Sequence, residues 1–127
     1  MGEVARILDQ MRRAEEGNAW HGASLRELLA GVDAARAHAR PIAAAHTIAE
    51  IVSHVAVWRR VAKDRLAGTP PRTLAPAEDW PPATDGSPRA WEAALADLRS
   101  ASDDLRAAVS GLGDAELDRL LPGGGAS

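Results

Sequence analysis

Apolar residues in this chain recur mostly three and four positions apart, the spacing of helices with one buried face. Val4, Ile7, Leu8 and Met11 form such a stripe, so a first helix is expected from about Gly2 to Glu16, ended by Gly17 and Asn18. Trp20 and His21 fall in the loop beyond it. Ser24 with Glu27 three residues later is a capping-box pattern, opening a short helix to about Ala30 that Gly31 closes. Asp33 can cap another turn or two through Ala39, and Pro41 stops that piece. Thr47 and Glu50 repeat the capping box and open a second long helix. Ile48, Ile51, Val55, Trp58 and Ala62 lie along one face of it, which reads as core packing. Gly68 suits the position just past its last turn, and Pro70 and Pro71 forbid continuation.

Residues 68–87 are rich in Pro, Thr, Ala and Asp and predict a long irregular connection, with Trp80 tucked onto the bundle. Connections this long usually cross a functional end or pack as a flap. Ser87 and Pro88 open the third long helix. Its seam is Trp91, Leu95, Leu98, Ser102, Leu105, Val109 and Leu112, a heptad pattern with one polar member, suited to more than one neighbour. Gly111 and Gly113 break it, and Asp114 can cap a final short helix through Leu121. Residues 1–121 therefore read as one helical domain and residues 122–127 as a flexible tail. No internal repeat is visible.

Composition supports the same picture. The 127 residues fit one domain, and the absence of Phe and Tyr leaves four Trp as the only aromatics. Helix formers are abundant and strand formers scarce, so the fold class is all-α. A formal net charge of −3 supplies no basic field for phosphate backbones, which argues against nucleic acid as a partner. The lack of cysteine excludes disulfides, thiolate ligands and a cysteine nucleophile. Met1 to Arg13 has no apolar signal-peptide core, and no apolar run reaches the ~20 residues that span a bilayer. The expected location is cytoplasmic, with no membrane partner.

Four histidines carry the candidate chemistry: His21, His38, His46 and His54. His54 lies in mid-helix at the edge of the apolar stripe, four residues before Trp58, and a bundle helix can present a metal ligand to the core from such a position. The same position also suits a half-buried histidine satisfied by hydrogen bonds. His46 and His54, eight residues apart, are too distant along one helix to share a metal directly, and there is no HxxxH pair. His46 can pack under the Thr47 cap, and the loop of His21 can reach the same end. Both suit structural roles, or roles lining a pocket with Trp58. His38 reads as a surface residue. Asp103 and Asp104 are adjacent on a helix, point apart, and do not form an acid–base pair. No nucleophile motif or phosphate-cradling glycine loop is present, so no catalytic residue is identified.

Several segments together resemble the DinB-like family. They are the run from His46 to Arg59, the stretch Ala19 to Leu25 followed by Leu28 and Leu29, the connection with Asp79, Trp80, Pro81 and Pro82, and the helix opening with Trp91. The resemblance implies an up-down-down-up four-helix bundle that binds a divalent metal, zinc or nickel. The family's ligands are one His on the second helix, matched by His54, and an HxxxH pair on the last, which has no counterpart. The expected architecture is thus three long helices with the fourth missing, from a truncated product or from a chain covered by another copy. The resemblance further implies a thiol-dependent transferase or hydrolase-like activity on a small-molecule thiol or other small substrate, with His21, His46 and Trp58 as pocket or supporting residues. The alternative is a non-catalytic helical oligomer or interaction module. Either way a homodimer or other homo-oligomer is expected, since uncovered apolar surface favours symmetric pairing.

Overall fold

Four helices of this chain begin where an N-cap side chain, Ser24, Asp33, Thr47 or Ser87, accepts a free amide of the first turn. The computed structural model describes residues 2–17, 24–42 and 44–113. It contains α1 (Glu3–Glu16), α2 (Leu25–Leu29), α3 (Ala34–Ala37), α4 (Ile48–Leu66), α5 (Pro76–Asp79) and α6 (Pro88–Ser110), with no strand among the described residues. Both expected capping boxes form. Glu27 N–H donates to Ser24 Oγ at 3.2 Å while Glu27 Oε1 accepts from Ser24 N–H at 2.9 Å. Thr47 and Glu50 make the same exchange at 3.1 and 2.8 Å. Asp33 caps α3 and Ser87 caps α6. At the end of α4, Gly68 adopts φ 102°, and the amides of Gly68 and Thr69 return to the carbonyls of Arg65 and Asp64, both at 3.0 Å. This is the Schellman closure, and its left-handed residue explains a glycine there.

The core lies between α4 and α6 and is built largely of small side chains. Ala49, Val52 and Ala56 of α4 are buried with Trp91, Leu98 and Ala101 of α6, and Ala34 and Ala37 of α3 close one end. Trp91 is 3 % exposed, and its indole N–H donates to Val32 O at 2.9 Å. Ser102, the polar member of the α6 seam, is buried and donates to Leu98 O at 2.8 Å, which makes its burial tolerable. As the seam predicts, α6 packs on more than one neighbour: α4, α1 and α3.

Trp80 lies on His46 and His54, so the connection after α4 doubles back along that helix. The chain then passes His38 at Gly86 and anchors the start of α6 on Val32 through Trp91. Farther along, Arg60 in the second half of α4 pairs with Asp97 at 2.6 Å. Helices α4 and α6 therefore run in the same direction, which is why their connection must be long. Three ion pairs fix the end of α1, Glu15 to Arg59 at 3.1 Å and Glu16 to Arg106 at 3.0 Å and to Arg26 at 3.4 Å. No helix among the described residues is long and apolar enough to cross a membrane.

Three expectations are corrected. The stripe Ile48, Ile51, Val55, Trp58 and Ala62 faces the core only in part: Ile48 and Val55 pack against it half-buried, Ile51 is 45 % and Trp58 44 % exposed, and the fully buried residues of α4 are Ala49, Val52 and Ala56. Small residues let two helix backbones approach, so they occupy the contact with α6. His38 is half-buried rather than a surface residue: its Nδ1 lies 2.9 Å from Ala34 O. That contact caps α3 at Ala37, short of the expected Ala39. The connection 68–87 is not wholly irregular, because Pro76 and Glu78 set up the single turn of α5. The expected helix to Leu121 and the tail 122–127 lie outside the described residues.

Candidate functional site

The site assembles where the returning connection crosses the first half of α4. The Thr47 cap fixes the start of the helix, leaving His46 just outside it and His54 two turns further on. Glu50 completes the cap and also accepts from Arg40 at 2.7 Å. Its carboxyl is held below the usual glutamate range, chiefly by the Thr47 amide and further by Arg40. On the other side, Pro76 starts α5, and Glu78 Oε1 accepts from Ala75 N–H at 3.1 Å. Arg72 braces the same carboxylate from outside at 3.0 Å and pulls its pKa down. This turn delivers Asp79 and Trp80 onto α4.

Asp79 takes hold of two side chains. His54 Nδ1 lies 2.7 Å from the Asp79 carbonyl oxygen and 3.2 Å from Asp79 Oδ1. Trp58 Nε1–H donates to Asp79 Oδ1 at 2.7 Å. A carbonyl oxygen only accepts, so the shared hydrogen belongs to His54 Nδ1. In the neutral ring that leaves Nε2 with the free lone pair. Trp80 is inserted between the two imidazoles, stacked on His46 with centroids 3.6 Å apart and planes 2° apart, and on His54 at 3.7 Å and 8°. Trp58 meets His54 edge-on at 6.2 Å. The side chain of His54 keeps 25 % exposure, so its ring is held without being sealed off.

Three of the four side chains singled out by the sequence, His46, His54 and Trp58, are thus brought to one place. The fourth, His21, lies outside the described residues. His46 stacks on Trp80, with its Nδ1 3.9 Å from the Glu50 Oε1 that completes the Thr47 cap. Trp80 tucks onto the bundle as expected. Asp79, which orients both His54 and Trp58, was not identified from sequence, and its position directly before Trp80 was the available signal. A cleft of about 610 Å³ between α2, α3 and α6 has no histidine in its lining. Volume and candidate chemistry therefore do not coincide.

As a metal centre this constellation is incomplete. Among the described residues no group of three or more His, Asp or Glu side chains could hold a metal ion. The stacked Trp80 separates His46 from His54, and Asp79 is engaged in holding the ring. One ligand is offered where a catalytic zinc-type site takes three.

Searches among curated proteins and among solved structures find no match. A protein-family model, the DinB superfamily, matches residues 19–126, which include α2 to α6 and every residue of the site just described. With most of its length matched and an all-helical fold, the chain belongs to the DinB superfamily.

Proposed function

We propose that this chain is a divalent-metal protein of the thiol-dependent transferase or hydrolase-like kind, with His54 contributing one ligand through Nε2. The observation that carries the reading is the hydrogen bond from His54 Nδ1 to the Asp79 carbonyl. Metal-binding histidines characteristically donate their second ring N–H to a carbonyl or carboxylate, which fixes tautomer and orientation together. Trp80 and Trp58 restrict the ring further, so Nε2 is presented in one direction. Zinc or nickel suits an imidazole ligand. The described residues supply no second or third ligand, so the remaining ligands are left to a second chain or the substrate. A bound metal would activate a small thiol or water as a Lewis acid. No described residue is assigned a step in that reaction.

A non-catalytic helical oligomer is the second reading, favoured by the single ligand among the described residues and by the exposed apolar stripe of α4. Elemental analysis of purified wild type beside His54→Ala separates the two. Stoichiometric zinc or nickel that is lost in the variant is the expected result. Metal-free wild type after purification with added zinc, folded by circular dichroism, would leave the oligomer reading in its place.

A further inference from the structure

The cleft of about 610 Å³ between α2, α3 and α6 takes no part in the His54 site. Its size suits a small organic molecule, and so does its make-up, an apolar floor with a few polar groups at the ends. Leu29, Val32, Trp91, Leu95 and Leu98 form the floor. The charged residues of the lining are Glu15, Arg26, Asp33, Glu92 and Arg99, and they divide between the two ends. Trp91 bonds to Val32 O, so Asp33 and Glu92 stand at the end where α6 begins. Glu16 pairs with both Arg26 and Arg106, which sets the start of α2 against the later turns of α6. Arg26 and Arg99 therefore share the other end, one on each wall, together with Glu15.

We infer that this cleft binds a medium-chain carboxylate, with the head group between Arg26 and Arg99 and the tail along Leu29, Leu95 and Trp91. The charges at the two ends are engaged to different degrees. Glu15 is 7 % exposed and is answered by Arg59 at 3.1 Å, so its charge is not free to repel an anion. Arg26 reaches only Glu16, at 3.4 Å, and Glu16 is itself shared with Arg106 at 3.0 Å. Arg99 makes no ion pair with a described residue. At the opposite end Asp33 is engaged in the α3 cap, accepting from Arg36 N–H at 2.9 Å, which leaves Glu92. A carboxylate thus meets two guanidiniums, whereas an ammonium group meets one free carboxylate. Arginine holds carboxylates through paired charge-assisted hydrogen bonds, and this decides the sign of the head group. Glu92 and Arg99 are seven residues apart on α6, about 10 Å along its axis. The floor between them is apolar, so the tail is apolar and ends before Glu92. Octanoate has that shape.

Titration calorimetry on the wild-type chain is expected to show saturable binding of octanoate and about tenfold weaker binding of octylamine, the difference made by the charge-assisted hydrogen bonds. Arg26→Met and Arg99→Met keep an apolar stem at exposed positions, so both variants should fold, as circular dichroism checks. Each is expected to weaken octanoate about tenfold and to leave octylamine unchanged. Methyl NMR of the wild type locates the ligand. Octanoate should shift Leu95 and Ala30, which line this cleft, and leave Ile51 and Val55, which line the groove between α2 and α4, unmoved. Octanoate that shows no saturable binding would overturn the inference. So would octylamine that binds as tightly as octanoate, an Arg99→Met variant with unchanged octanoate affinity, or methyl shifts confined to Ile51 and Val55.

Discussion

Both faces of α4 are apolar, yet they meet different fates. The inner face, Ala49, Val52 and Ala56, is at most 2 % exposed against α6, while on the outer face Ile51 and Trp58 remain nearly half exposed. Hydrophobicity alone favours the outer face for burial. Close approach decides otherwise, because alanines let two helices come together and interior packing is dense enough for that to matter. Ile51 and Trp58 are left at the surface, and His54 lies beside Trp58, held by Asp79 and Trp80.

The largest effect that would test this contrast is at the inner contact. Trp91→Ala removes a fully packed ring and its bond to Val32, and urea denaturation is expected to show a loss of about 3–5 kcal/mol. Enlarging the inner face comes next: Ala56→Leu is expected to cost about 1–3 kcal/mol by overpacking. The same side chain placed outside, Ile51→Leu, should leave unfolding of the chain nearly unchanged. Equal costs at the two positions would erase the distinction between the faces. Trp80→Ala removes two ring stacks, expected to be worth about 1–3 kcal/mol together. It should also shift the ring-proton resonances of both His46 and His54, and a shift of only one would contradict the sandwich. Thr47→Ala is expected to cost about 1 kcal/mol by loss of the α4 cap.

The smallest expected effect concerns pH. Glu50 has its pKa depressed in the folded chain, so the unfolded chain binds its proton first on acidification. Its contribution is present above the ordinary glutamate value and is lost as pH falls through the lower, folded one. A thermal-melting series toward pH 3 should therefore fall less steeply for Glu50→Gln, which keeps the cap geometry but does not titrate.

What the sequence revealed divides along the same physical line. Ser24 with Glu27 and Thr47 with Glu50 are three residues apart, so their caps are written locally and the helix starts could be read directly. The α6 seam was legible because one helix face meets several neighbours. On α4 two apolar stripes share one period, and periodicity cannot choose between them. His54 and Asp79 are 25 residues apart, and their bond depends on a connection that folds back along α4. The candidate ligand could thus be named from sequence, but the residue that orients it could not.

The central claim is that His54 is held as a ligand, with hydrogen on Nδ1 and the lone pair on Nε2. A long-range proton–nitrogen NMR spectrum of the histidine rings, recorded before and after adding zinc, tests it most directly. The account predicts the Nδ1–H tautomer for His54 in the metal-free chain and a zinc-dependent shift of its Nε2 signal. An Nε2–H tautomer, or a His54 signal that zinc leaves unmoved, would contradict it.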